Sequence, residues 1–141
     1  MKLLAKHKKT ILTDEELWQK KWNNLDFPIH LDPQKRVERV FMSLFDRYFV
    51  NNKKITKTCL EIGCNPGKFL IYCGKKLNYE MVGLDYDKKG VEITKRNFTE
   101  SGLKAEILEK DFLNYDTDRK FDLIISLGFI EHFQGEKLQV A

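Results

Sequence analysis

Long apolar runs are missing from this sequence: no stretch of its 141 residues approaches the roughly 20 consecutive apolar residues that a membrane span needs. Met1 to Thr10 holds only Leu3, Leu4 and Ala5 as an apolar stretch between lysines, so a signal-peptide core is absent too and the expectation is a cytoplasmic protein with no membrane partner. Cysteine is scarce. Cys59, Cys64 and Cys73 are odd in number and lack CxxC spacing, which implies neither a disulfide framework nor a zinc cluster and leaves reduced thiols as the expectation. The three histidines, His7, His30 and His132, are too scattered to form a local metal motif, and no metal is expected.

What is present fits one soluble globular domain with no room for a second full core: 42% of residues are hydrophobic and 33% charged. The net charge of +4 is unevenly placed, with 12 Lys/Arg against 7 Asp/Glu in residues 1–56 and 13 against 14 in residues 57–141. A basic arm suits nucleic acid or an anionic substrate. Most of these lysines, however, fall at helical spacing on a solvated face, so nucleic acid is not the expected partner.

Two helices are expected first. Thr13 and Glu16 form a capping-box pair, and Leu17, Trp18, Lys21, Trp22 and Leu25 lie on one helical face that ends near Asp26. Asp32 followed by Pro33 predicts a second helix start. From there Val37, Val40, Phe41, Leu44, Phe45, Tyr48 and Phe49 recur at three- and four-residue steps, a face that should be buried. Trp18, Trp22 and Phe27 are expected to pack against a sheet, with a role in a lid as the other reading.

After Lys57 the rhythm changes to strands alternating with helices. Strands are predicted at Thr58–Ile62, Glu80–Leu84, Ala105–Leu108 and Phe121–Leu127, and helices at Lys68–Leu77 and Lys88–Ser101. Such alternation signals βαβ units and a parallel sheet with right-handed crossovers. The chain therefore divides into a helical segment, residues 1–56, and an α/β unit, residues 57–141.

Chemistry concentrates where the first strand ends, in Glu61-Ile62-Gly63-Cys64-Asn65-Pro66-Gly67-Lys68. A glycine-containing turn between a strand and a helix lets a ligand approach the backbone, and such strand ends are where open α/β sheets bind ligands. A dinucleotide fingerprint would need glycine at positions 65 and 68, where Asn65 and Lys68 stand, so a pyrophosphate is disfavoured. Asp85 closes the second strand 24 positions after Glu61, a spacing at which a carboxylate can accept both ribose hydroxyls. Plainer roles are open for each residue: Gly63 and Gly67 as a tight loop, Asp85 and Asp111 as caps of the turns that follow, and Cys64 as backbone alone.

This run resembles the first motif of the class I S-adenosylmethionine-dependent methyltransferases, acidic-x-Gly-x-Gly-x-Gly, with Asn65 in the middle glycine position, where Asn tolerates left-handed backbone better than other non-glycine residues. The resemblance continues through Asp85, Lys110-Asp111-Phe112 and Phe121 to Phe133, and so covers residues 58–133. It implies a Rossmann-like fold whose first four strands lie in the order 3-2-1-4. It implies S-adenosyl-L-methionine as cofactor, held at Glu61, Gly63, Cys64, Asn65, Gly67, Asp85, Tyr86, Asp111, Phe112 and Ser126, with Tyr86 and Phe112 flanking the adenine. The bend after Ile62 should then lie open beneath the amino-acid tail of the cofactor.

Ser126-Leu127-Gly128-Phe129 lacks the Asn/Asp-Pro-Pro-aromatic signature of relatives that methylate planar amides and nucleobase amines. The Glu131-His132-Phe133 ending resembles small-molecule enzymes instead, so a metabolite or a glycan or lipid precursor is the expected acceptor. His132 is the candidate general base, or a helix-surface or packing residue beside Phe129 and Phe133. The family's sheet has seven strands and four are expected here. The exposed fourth strand would be a pairing hazard, which points to a missing C-terminal half or to a partner chain covering it. Rival functions are a non-catalytic binding module, an NAD-dependent oxidoreductase and an RNA methyltransferase.

Overall fold

A computed structural model describes Trp22, residues 25–49 and residues 55–129. Helix α1 (Arg36–Tyr48) is followed by β1 (Lys57–Ile62), α2 (Lys68–Tyr72, running on as one π turn, Cys73–Leu77), β2 (Tyr79–Asp85), α3 (Lys88–Glu100), β3 (Glu106–Glu109), a 3-10 turn (Phe112–Asn114) and β4 (Leu123–Ile125). The strands form one sheet in the order β3-β2-β1-β4 with every pairing parallel. That is the α/β, Rossmann-like arrangement expected. The first predicted helix lies outside the described residues, apart from Trp22, Leu25 and Asp26.

Parallel strands bury both faces, and alternation along each strand splits the core in two. Cys59, Met81, Ile107, Leu123 and Ile125 point toward the helices and join Leu70, Ile71, Val91 and Phe98. Leu60, Ile62, Val82 and Leu84 point the other way, onto Leu108, Phe112, Tyr115, Phe121 and Phe129. Full burial of Leu70, Ile71 and Leu84 contributes roughly 1.5–3 kcal/mol per side chain. Cys59, Cys64 and Cys73 are all unpaired and buried. A hydrogen bond to Cys73 and burial push the Cys59 thiol far up, so these cysteines behave as small core side chains.

Helix α1 departs from expectation at both its start and its face. It starts at Arg36, not at Pro33, and its N-cap is Lys35. Asp32 spends its side chain on the preceding turn, where Oδ1 accepts from Gln34 N at 2.9 Å, while its own N–H donates to Glu38 Oε2 at 2.6 Å. Of the apolar face, Phe41 and Phe45 pack on Phe69 at 5.6 and 6.1 Å between ring centroids, and Phe45 also meets Phe49 and Tyr72. Val37, Val40, Leu44 and Tyr48 are exposed among the described residues. The seven residues form two stripes about 100° apart on the helix, and among the described residues the Phe41-Phe45-Phe49 stripe is the one that packs on the domain.

The ends of the remaining elements shift by a residue or two, as fraying allows. β4 is shorter than Phe121–Leu127 at both ends; at its start Asp122 Oδ2 accepts from Thr58 N at 2.8 Å, and the Asp122 N–H donates to the Thr58 carbonyl at 3.0 Å. Among the described residues β4 pairs on one side only, with β1, and Ile124 is exposed. No helix among the described residues is long and apolar enough to cross a membrane.

Candidate functional site

The C-terminal ends of β1, β2 and β3 converge on Asp85. The bend after β1 hangs from β2, since Gly63 N and Cys64 N both donate to the Leu84 carbonyl, at 2.8 and 3.1 Å. Asn65 N then donates to Asp85 Oδ2 at 3.2 Å and Asp87 N to Asp85 Oδ1 at 3.0 Å. Lys110 N, at the end of β3, donates to the Asp85 carbonyl at 2.9 Å. Asp85 therefore faces the bend. It is not the cap of α3, a role that falls to Asp87, whose carboxylate accepts from Lys89 N and Gly90 N.

Gly63 and Gly67 have φ of +70° and +84°, left-handed values that favour glycine. Asn65 needs no such tolerance, because Asn78 is the one described non-glycine residue with positive φ. The N–H groups of the bend are spent within the fold. Those of Gly63, Cys64 and Asn65 are bonded as above, Pro66 has none, and Gly67 N donates to the Cys64 carbonyl at 2.5 Å. A phosphate cradle depends on free N–H groups pointing at the ligand, and residues 63–67 offer none. The local charge is also acidic: burial holds Asp85 above the usual carboxylate range, and the neighbouring Asp87 raises it further. Such surroundings suit a neutral or cationic ligand over a pyrophosphate.

Individual side chains take different parts. Glu61 is buried and turned toward α2, where Oε2 accepts from Leu70 N at 3.3 Å. Burial pushes its carboxyl well up, and it braces the helix that follows the bend. The Cys64 side chain is fully buried, with Sγ against Gly83, so only its backbone belongs to the bend. Asp111 accepts from Leu113 N at 3.1 Å and from Asn114 Nδ2 at 2.9 Å, the turn-capping role left open for it. Tyr86 is half exposed beside Asp85, and Ser126 directly follows β4. The amide oxygen of Asn65 is buried and has no donor among the described residues, an acceptor that a ligand N–H or O–H would satisfy.

The bend is not open on its Gly63 side. Phe129 lies there, its ring so close that a β-carbon on Gly63 would come within 2.9 Å of Cδ2, and it meets Phe112 edge-on with centroids 5.7 Å apart. The ring continues the second core face into space that glycine leaves empty. His132 lies outside the described residues.

Three supports were not legible from the motif. Asn97 is fully buried and bonds the Pro66 carbonyl at 2.8 Å and both backbone groups of Ile29, at 2.7 and 2.9 Å. It ties the bend, α3 and the chain before α1 together. Gly83 leaves room for Cys64, since a β-carbon there would meet Sγ at 2.7 Å. Lys68 Nζ, in the first turn of α2, pairs with the buried Glu38 at 2.7 Å, and that contact docks α1. Trp22, Leu25 and Phe27 are half-buried and line a cleft with Lys89, Glu92, Ile93 and Arg96 of α3. Among the described residues no group of three or more His, Cys, Asp or Glu is placed to hold a metal.

Comparison with known proteins sets this geometry in context. A family described as "Methyltransferase domain" matches residues 59–141. Type II methyltransferase M.CvrRI of Paramecium bursaria Chlorella virus XZ-6E is 39% identical over 67 residues, which are 47% of this chain and 16% of that protein. EEF1A lysine methyltransferase 2 of Danio rerio is 38% identical over 71 residues, 49% of this chain and 30% of that protein. Probable (S)-tetrahydroprotoberberine N-methyltransferase 2 of Papaver bracteatum is 29% identical over 84 residues, 58% of this chain and 24% of that protein. The matched part thus spans 16–30% of these relatives' lengths. Among solved structures, the plantazolicin methyltransferase BpumL in complex with SAH superposes with a TM-score of 0.57 at 22% identity, over 84% of this chain and 44% of that one.

Proposed function

The chain belongs to the methyltransferase-domain family, and from that premise we propose that it transfers a methyl group from S-adenosylmethionine to a small molecule or to a glycan or lipid precursor. The observation that carries the cofactor reading is Asp85, a carboxylate at the tip of β2 directed at a bend with no free N–H from residue 63 to residue 67. Such a site suits a nucleoside that carries a sulfonium and no phosphate. The same spent N–H groups argue against an NAD-dependent oxidoreductase.

In this reading Asp85 accepts from the ribose hydroxyls, Tyr86 and Phe112 flank the base, and Asp111 contributes its remaining acceptor capacity beside them. Cys64, Asn65 and Gly67 present backbone to the amino-acid tail, and Gly63 does so where the tail displaces the Phe129 ring that covers it, with the Asn65 amide oxygen as an acceptor and Ser126 at the end of β4. Glu61 acts indirectly, through the start of α2. S-adenosylmethionine, when bound, supplies a methyl group already made electrophilic by its sulfonium. The protein holds donor and acceptor in line, and alignment of that kind lowers a barrier by roughly 7–11 kcal/mol in well-oriented pairs.

Residues 57–141 form the cofactor-binding unit and residues 1–56 a packing or cap segment. Ser126 to Phe129, with no proline pair, supports the small-molecule acceptor over a nucleobase amine, and one of the relatives is a probable (S)-tetrahydroprotoberberine N-methyltransferase. Three buried, unpaired thiols support a cytoplasmic location. The edge of β4 that is unpaired among the described residues favours one further reading, in which another strand completes the sheet and the unit alone binds without transferring.

His132, seven positions beyond β4, is our candidate proton acceptor. Replacing it with Gln should cut methyl transfer about 100- to 10,000-fold and remove the acid limb of the pH-rate profile, the range general-base catalysis supplies. The acceptor class is tested by incubating the chain with methyl-labelled cofactor and a cell extract split into metabolite, lipid-linked, protein and RNA fractions. Label in the metabolite or lipid-linked fraction supports the proposal, and label confined to RNA or protein overturns it. Binding of S-adenosylhomocysteine without any transfer supports the non-catalytic reading.

A further inference from the structure

We propose a second binding site, separate from the cofactor bend: the cleft between Trp22, Leu25 and Phe27 and the outer face of α3 takes a planar anion, an aromatic ring carrying a carboxylate or a phosphate. The cleft has a volume of about 400 Å3 and is walled by Trp22, Leu25 and Phe27 on one side. Lys89, Ile93 and Arg96 form the other wall, with Glu92 beside them. These α3 positions follow a three- and four-residue step that puts them on one helical stripe. The residues that support the bend, Gly90, Thr94 and Asn97, lie on the buried stripe next to it. The cleft and the cofactor bend therefore use adjacent faces of one helix without sharing a side chain.

Arg96 carries the argument. Its guanidinium carbon lies 4.3 Å from the centroid of the Phe27 ring, and among the described residues it makes no ion pair. Glu92 stands four positions before it, the spacing and orientation at which helices ordinarily form a carboxylate–arginine pair. That pair is not made, and the guanidinium rests on the ring instead. A guanidinium on an aromatic face gives up rotamer freedom while keeping its hydrogen-bonding edge for a carboxylate or phosphate. Lys89, about two helical turns before Arg96 on the same stripe, is a second cation on this wall. Trp22, Leu25 and Ile93 provide an apolar wall for the flat body of the ligand. An apolar wall with a few convergent polar groups is what small-molecule sites share. The cations select an anion and the indole a ring.

This inference stands apart from the cofactor reading, and the same preparation can test both, because S-adenosylhomocysteine reports on the bend alone. The full chain with Trp18→Phe leaves Trp22 as the sole indole, so its fluorescence reads the cleft. It is titrated with 2-naphthoate and with AMP, and with adenosine as a control lacking the anion. Saturable quenching by either anion is expected, and which of the two acts separates an aryl carboxylate from a nucleoside phosphate as the source. Arg96→Ala should weaken that binding about tenfold or more, and Arg96→Lys should recover only part of it, because lysine offers a point charge without the bidentate fork. S-adenosylhomocysteine affinity should not change in either variant. Absence of saturable quenching by both anions, equal binding of adenosine, or unchanged binding in Arg96→Ala would each overturn the proposal.

Discussion

Asn97→Ala should destabilise this protein as severely as a substitution at a glycine of the bend. The side chain is fully buried and makes three hydrogen bonds of 2.7–2.9 Å, two to Ile29 and one to the Pro66 carbonyl. Each such bond contributes about 1 kcal/mol net, and buried partners left unsatisfied raise the cost. A loss of about 3–5 kcal/mol follows, a large share of a typical domain's stability of roughly 5–15 kcal/mol. For a chain of this length each kcal/mol moves Tm by about 4 °C, so the midpoint should fall by roughly 12–20 °C. Calorimetric or circular-dichroism melts of the parent, Asn97→Ala and Asn97→Asp would measure it. The Asp variant keeps the acceptor for Ile29 N and loses both donated bonds, and it should also be destabilised. A drop of less than about 1 kcal/mol in the Ala variant would show that Asn97 is not the tie between bend, α3 and the chain before α1.

Two further changes probe the bend itself. Gly67→Ala puts a β-carbon at φ +84°, 2.9 Å from both Phe98 and Thr94; left-handed strain and overpacking together should cost about 2–5 kcal/mol, read as a lower urea midpoint. Glu61→Gln should gain stability relative to the parent as pH rises. Burial makes the folded chain hold the Glu61 proton more tightly than the unfolded chain does, so the parent loses stability above the ordinary carboxylate pKa, while Gln can still accept from Leu70 N. Melts in mildly acidic and mildly alkaline buffer should show the gap between the two proteins widening with pH, and a constant gap would contradict the account.

The parallel sheet was readable because short apolar runs alternating with helices admit few topologies, the order of its strands followed from the family resemblance, and the run from Glu61 to Gly67 announced where the sheet opens. Roles set by side-chain direction were not readable. Glu61 and Cys64 belong to the motif by sequence, yet strand alternation and the turn point both into the core. Asn97 sits on α3 among residues that read as an ordinary amphipathic helix, and only the fold brings Pro66 and Ile29 to it. The apolar periodicity of α1 gave the helix but not which of two adjacent stripes meets the domain. Phe129 was legible as an apolar residue after β4, but its contact with Gly63 depends on β4 lying beside β1.

Titration calorimetry of S-adenosylhomocysteine into the parent chain and into Asp85→Asn tests the central claim most directly. The account predicts saturable binding by the parent and a loss of about 10- to 100-fold in the variant, the worth of a charge-assisted hydrogen bond, with both proteins folded by their melting curves. Equal affinity in a folded Asp85→Asn, or preference of the parent for NADH, would contradict it.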